Sequence, residues 1–122
     1  MNEQFVELIS LLLHSNTQVQ IFHRQTKSFS EHMSLGGYYE EIIELVDGLT
    51  ESYQGKYDII SNYKAYNMQN YTDLNQVIAY FKELGVKITT LRKSVSDTFI
   101  QNQIDGIEEL VYSTLYKLRN LK

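Results

Sequence analysis

The sequence predicts an all-α protein: a four-helix bundle that forms a single domain over residues 1–122. A chain of 122 residues without proline suits one domain built from long uninterrupted helices. Apolar residues recur at helical spacing in four segments. The three connections between these segments are short, long and short, and their lengths predict the topology.

The first helix is predicted to run from about Asn2 to Lys27. At about 100° per residue, His23 projects to the side that carries the apolar stripe, near its middle. His14 points almost the opposite way, so we expect it to face solvent or a partner. The rest of that stripe consists of Phe5, Leu8, Ile9, Leu12 and Val19.

The second helix is predicted to run from about Phe29 to Tyr53. Ser28 and Glu31 have the spacing of a capping box, which places the start of the helix at Ser28. Gly36 and Gly37 lie inside this helix, where each glycine costs about 1 kcal/mol relative to alanine. We expect them to mark a close approach of another group to the backbone.

The stretch from residue 54 to residue 71 breaks the helical pattern and is rich in tyrosine and asparagine. Gly55 is predicted to end the second helix. At about 3.3 Å per residue, a connection of about 17 residues can travel the length of a bundle. A simple up-down-up-down bundle does not need such a connection. Two helical hairpins joined by one long crossover between helices 2 and 3 form the ferritin-like arrangement, which is the predicted fold.

The third helix is predicted to start at Thr72, as its N-cap, and to continue to about Ser94. Ser96 or Asp97 is predicted to cap the fourth helix. Both helices keep one apolar face in phase along their length. These faces consist of Leu74, Val77, Ile78, Phe81, Leu84, Ile88, Leu91 and Val95, and of Phe99, Ile100, Ile104, Ile107, Leu110, Val111, Leu118 and Leu121.

The composition excludes several classes of function. The chain has no cysteine, so disulfides and thiolate zinc sites are excluded. Its formal net charge is -4 and it has no basic tail, so we expect no nucleic-acid binding through such a tail. The apolar run from Leu11 to Leu13 is too short to span a bilayer, and the first residues lack the basic region of a secretory signal. We expect a cytoplasmic protein without a membrane partner.

Four residues in the first half of the chain could carry chemistry: His23, His32, Asp47 and Glu51. Imidazoles and carboxylates are the usual ligands of iron and similar metals. His23 and His32 flank the predicted turn between the first two helices, so they can approach each other. His32 and Asp47 lie about 22 Å apart on one predicted helix, so a single chain cannot bring all four residues to one ion. A two-fold dimer with antiparallel second helices would join the histidines of one chain to the carboxylates of the other, and would make two sites.

Simpler interpretations exist for the same residues. A histidine on an apolar face is most often a packed core residue. The ridge formed by Glu40, Glu44, Asp47 and Glu51, beside the apolar stripe, is most simply a solvated face. The Glu-x-x-His signature of di-iron bundles is absent, which argues against a di-iron centre within one chain.

The residues around the candidate ligands resemble Dps, the ferritin-like mini-ferritin of starved bacteria. The resemblance is carried by Phe-His-Arg-Gln-Thr-Lys-Ser-Phe-Ser-Glu-His at residues 22–32, by Tyr-Tyr-Glu-Glu at 38–41 and by Asp-x-x-x-Glu at 47–51. The sequence is most similar to small Dps-related phage proteins of unknown function, through Tyr-Gln-Gly-Lys-Tyr at 53–57 and the segment 112–119. Gly36 stands where Dps-like sites often have an acid.

The resemblance implies a ferroxidase site at a dimer interface, with His23 and His32 facing Asp47 and Glu51 of the partner subunit. It implies iron as the metal, with zinc or manganese as alternatives, and a homo-oligomer of at least two chains. On this view the protein oxidises or stores Fe(II), as a ferroxidase if the inter-subunit site is intact. The alternative is a non-enzymatic phage interaction or assembly protein with a degenerate site, which binds a host or virion protein in the host cytoplasm.

Overall fold

The protein is a bundle of four α-helices. The computed structural model describes residues 2–122, and no strand occurs in this range. The helices are α1 (Glu3–Gln25), α2 (Phe29–Lys56), α3 (Leu74–Arg92) and α4 (Thr98–Asn120). The predicted all-α four-helix bundle is therefore confirmed. None of the four helices in the described range is long and apolar enough to cross a membrane.

The start of α2 has half of the predicted capping box. The Ser28 side chain accepts a hydrogen bond from the Glu31 backbone N–H, so Ser28 is the N-cap, as predicted. The reciprocal bond is absent because the Glu31 carboxylate accepts from the hydroxyls of Thr26 and Tyr71 instead. Glu31 therefore ties the turn between α1 and α2 to the end of the long connection.

Several other helix boundaries differ from the predictions by one to three residues. Asp73, and not Thr72, is the N-cap of α3, because its carboxylate accepts the free backbone N–H of the first turn. α2 continues past Gly55 and ends at Lys56. α3 ends at Arg92, slightly earlier than predicted. Asp97 precedes α4, as predicted, but its side chain makes no capping hydrogen bond.

Each helix is antiparallel to its two neighbours. α1 packs against α2 and α3, and α4 packs against the same two helices. Asn2 at the start of α1 donates to the Ser94 carbonyl just beyond α3. Lys56 at the end of α2 pairs with Asp97 at the start of α4. α2 and α3 therefore occupy opposite corners of the bundle, around a core that includes Phe5, Leu12, Phe22, Tyr38, Ile42, Phe81, Ile88, Ile100 and Ile107.

Residues 57–73, the crossover, connect α2 to α3 without forming a helix. The Lys64 backbone N–H donates to Ser10 Oγ at 2.9 Å. Further along, the buried Gln18 amide donates to the Gln69 carbonyl at 2.8 Å and accepts from the Gln69 N–H at 2.7 Å. Contacts advance along α1 in the order of the crossover residues, so the crossover runs parallel to α1 and returns the chain to the end where α3 begins.

Candidate metal centre

His23 and His32 lie face to face where α1 turns into α2. Their ring centroids are 3.7 Å apart and the ring planes differ by 17°. His23 belongs to the last turn of α1 and His32 to the first turns of α2, so the short turn at residues 26–28 brings them together. The prediction that these two histidines approach each other is confirmed, although both are half-buried rather than central to the core.

Reciprocal hydrogen bonds fix the two imidazole rings. His23 Nδ1 lies 2.6 Å from the His32 carbonyl oxygen, and His32 Nδ1 lies 2.9 Å from the His23 carbonyl oxygen. A carbonyl oxygen only accepts, so each Nδ1 carries the hydrogen and each neutral ring keeps a lone pair on Nε2. Neither Nε2 forms a hydrogen bond within residues 2–122. Metal-ligating histidines characteristically donate their other N–H in this way, so each ring has the tautomer that a metal ligand needs.

The α2 backbone at Gly36 lies against the His23 ring. A Cβ added at Gly36 would lie 3.1 Å from Cε1 of His23 and 3.4 Å from its Nδ1. The Tyr39 ring meets the same imidazole edge-on, with centroids 5.2 Å apart. The predicted close approach is thus present at Gly36, whereas a Cβ at Gly37 would meet nothing within 4 Å.

Asp47 and Glu51 lie one helical turn apart on the exposed side of α2. Together with Leu13 and Tyr63 they line a shallow depression of about 160 Å³ between α1, α2 and the crossover. No group of three His, Asp or Glu side chains within residues 2–122 is close enough to hold a metal ion. The structure pairs the two histidines and aligns the two carboxylates, but one chain keeps the two pairs apart.

The carboxylates on the outer side of α2 form no ion pair with a basic side chain of residues 2–122. We call Glu40, Glu44, Asp47 and Glu51 the acidic ridge; all four are exposed. Ion pairs in the described part of the chain do not involve the ridge. They are Lys56 with Asp97, Lys64 with Glu7, and Arg92 with Asp105.

His14 lies away from the core stripe, as predicted, but its ring contacts the crossover and α3 of the same chain rather than open solvent. Its Nε2 lies 3.0 Å from the Asn67 carbonyl oxygen and its Nδ1 lies 3.2 Å from the Tyr80 hydroxyl. The Asn67 carbonyl accepts from Nε2–H, so Nδ1 accepts a hydrogen bond from the Tyr80 hydroxyl. Burial raises the pKa of Tyr80, which keeps this hydroxyl protonated as a donor. Both ring nitrogens are used, and His14 serves as a structural residue beneath the crossover.

The crossover adds a residue beside the site that the sequence did not indicate. The Tyr71 hydroxyl donates to Glu31 at 2.7 Å, and the Tyr71 ring meets Phe22 edge-on. Burial, followed by the hydrogen bond to Glu31, raises the pKa of Tyr71. Glu31 is therefore held by hydroxyl groups next to His32 and is not a free ligand.

The chain is thus an all-α four-helix bundle with a histidine pair at one helical turn. It belongs to a family of unknown function (DUF5856), whose family model matches residues 23–118. This range begins at His23 and includes α2, α3 and all four candidate ligands. No curated protein and no solved structure matches the chain.

Proposed function

We propose that this protein is a Dps-like oligomer, at least a dimer, that binds iron at sites shared between two chains. His23 and His32 supply two imidazole nitrogens, and Asp47 and Glu51 of the partner subunit supply carboxylate oxygens. The observation that carries the proposal is the reciprocal pair of Nδ1–H···O=C bonds, which leaves both Nε2 lone pairs free on adjacent rings. A two-fold dimer contains two such sites.

The ferritin-like assignment of the fold belongs to the same proposal. Its support is the pair of short hairpin turns and the crossover at residues 57–73, which carries the chain along α1 between them. One long connection in a four-helix bundle is the arrangement of ferritin-like proteins. A cytoplasmic location, in the host cell if the protein is phage-encoded, completes the proposal.

The donor set favours a divalent ion that accepts both nitrogen and oxygen ligands. Imidazole nitrogens suit iron and zinc, and carboxylate oxygens extend the choice to manganese. Iron is the metal that the Dps resemblance implies, with Fe(II) as a substrate to be oxidised and stored. Gly36 supports the His23 ring where Dps-like sites often have an acid, so this chain offers ligands for one ion per site. Binding should weaken in acid because the ligand forms are neutral imidazoles and ionised carboxylates.

A non-enzymatic interaction or assembly protein is the second candidate function. Phe29 and Met33 are one helical turn apart at the start of α2, and 78% and 58% of their respective surfaces are exposed. Exposed apolar side chains next to each other favour contact with another protein. On this hypothesis the bundle binds a host or virion protein, and His23 and His32 only stabilise the turn.

Anaerobic titration with Fe(II), or with Zn(II) as a redox-inert substitute, tests the proposal by calorimetry and thermal melting. We expect one ion per chain, and a stabilisation of about 2.7 kcal/mol at a hundredfold excess over the dissociation constant. His23→Ala and Asp47→Ala should each weaken binding at least tenfold, since each removes a ligand. His14→Ala is the matched control and should bind like the wild type.

Equal loss of binding in all three variants would show that the ligand assignment is wrong. A wild-type melting temperature that ignores both metals, together with a His23→Leu variant that melts higher, would identify His23 as a packing residue. That result would favour the interaction protein.

A further inference from the structure

The charge on α2 is strongly one-sided. This helix contains six carboxylates and one lysine, and the lysine pairs with Asp97 of the next hairpin. Glu40, Glu41 and Glu44 are exposed near the middle of the helix, and no lysine or arginine in the described residues forms an ion pair with them. Within residues 2–122 no ion pair neutralises these three carboxylates, so their charge is screened by water and salt.

The inter-subunit site fixes where the middle of α2 must lie. His32 and the Asp47–Glu51 pair are about 25 Å apart along α2, at about 1.5 Å per residue. If His32 of each chain meets the carboxylate pair of the other, the two α2 helices are antiparallel. The two-fold axis then crosses them halfway between these positions, at Glu40 and Glu41. Glu40 and Glu44 lie on the same side of α2 as the proposed ligands, so two copies of each meet around the axis.

The backbone near this axis allows the two helices to approach. Gly37 is exposed, and a Cβ placed there would meet nothing within 4 Å. A glycine on the outer side of a helix lets another backbone come close. Close helices bring like charges together in the dimer, and the described chain places no basic side chain in ion-pair contact with them.

We propose that repulsion between the carboxylates at the centre of α2 opposes dimerisation, which makes the dimer conditional on divalent metal. This inference rests on the proposed inter-subunit site. Without metal, two facing helices bring four carboxylates together at the axis, where they repel each other. Each of the two sites adds a divalent ion held by ligands from both chains, so metal binding offsets the repulsion. Linkage requires the converse, so the dimer binds metal more tightly than the monomer.

Sedimentation velocity with Zn(II), and with EDTA in its place, tests whether metal controls dimerisation. We expect the dimer dissociation constant of the wild type to fall at least tenfold when Zn(II) is added. The variant Glu40→Gln/Glu44→Gln changes no proposed ligand and should dimerise at least tenfold more tightly than the wild type in EDTA. The control Glu83→Gln/Glu109→Gln removes the same charge from α3 and α4 and should behave like the wild type.

Calorimetry on the same samples separates the two hypotheses. If the wild type binds one Zn(II) per chain but dimerises equally with and without it, metal control of dimerisation is overturned and the proposed metal binding stands. Equal dissociation constants in EDTA for the wild type and the Glu40→Gln/Glu44→Gln variant would also overturn it. If the wild type binds no Zn(II), the proposed function fails and metal control fails with it.

Discussion

The two sides of α1 use histidine in different ways. On the side that faces the crossover, His14 donates from one nitrogen to a backbone carbonyl and accepts a tyrosine hydroxyl on the other. On the side that faces α2, His23 and His32 also donate to backbone carbonyls, but their second nitrogens have no partner in the described chain. The bonding of the second nitrogen, rather than burial, therefore distinguishes a structural histidine from a candidate ligand.

The crossover side of α1 is a polar surface whose groups bind the backbone of the crossover. Ser10 accepts from one crossover N–H, and Gln18 bonds to both peptide groups of Gln69. Gln25 accepts from the backbone N–H of Tyr71 at 2.6 Å. One side of α1 thus holds the chain in place, whereas the other offers open acceptors, and two predictions test this division.

The largest expected effect on stability comes from Gln18→Leu. Leucine would fill the buried position but would leave the Gln69 N–H and carbonyl without their partners. We expect a loss of about 2 kcal/mol in the free energy of unfolding, at about 1 kcal/mol for each hydrogen bond. Urea denaturation measures this loss, and Zn(II) affinity should stay unchanged.

Gln20→Leu is the matched control, because Gln20 is on the same helix and its one side-chain hydrogen bond within residues 2–122 goes to the Asn16 side chain of the same helix. It should change the unfolding free energy by about 0.5 kcal/mol or less. Equal losses in the two variants, or a loss of Zn(II) affinity in Gln18→Leu, would contradict the division between the two sides of α1.

The adjacent glycines of α2 provide a second test, aimed at the histidine side. Gly37→Ala should stabilise the fold by about 0.5–1 kcal/mol, since alanine has the higher helix propensity and the added methyl meets nothing. Gly36→Ala adds the same propensity but pushes against the His23 ring at 3.1 Å. We expect it to gain less stability and to bind Zn(II) less tightly than Gly37→Ala. Identical Zn(II) affinities would show that the ring position is not important for binding.

The smallest expected effect concerns pH and the start of the crossover. Hydrogen bonds from Lys56 and then Tyr57 hold the pKa of Asp97 below the ordinary value of a carboxyl group. A lowered pKa in the folded state stabilises the fold at neutral pH, and this contribution disappears as the pH falls through the lowered value. Melting temperatures between neutral and acidic pH should therefore fall further for the wild type than for Asp97→Asn. Parallel curves would show that this contact contributes no acid sensitivity.

The sequence predicted the helices well because each has a continuous apolar face, which a period of 3.6 residues identifies. It also predicted the approach of His23 to His32, since a turn of three residues leaves them little freedom. It did not predict the contact of His14 with the crossover, because a helical wheel represents the helices and not an extended segment lying on α1. The polar residues Ser10, His14 and Gln18, at intervals of four, are the pattern that could have predicted a backbone bound to that side of the helix.

The hydrogen bonds between α1 and the crossover also set a length. From Ser10 to Gln25 the helix rises about 22 Å, at about 1.5 Å per residue. From Lys64 to Tyr71, which bond to those same two residues, a fully extended chain covers about 23 Å. Gln18 also holds Gln69 between these two points, so this part of the crossover follows α1 in a fixed register. Evolution can add residues before Lys64, where Asn62 already adopts a positive φ, but a deletion between Lys64 and Tyr71 would break the attachment at one end.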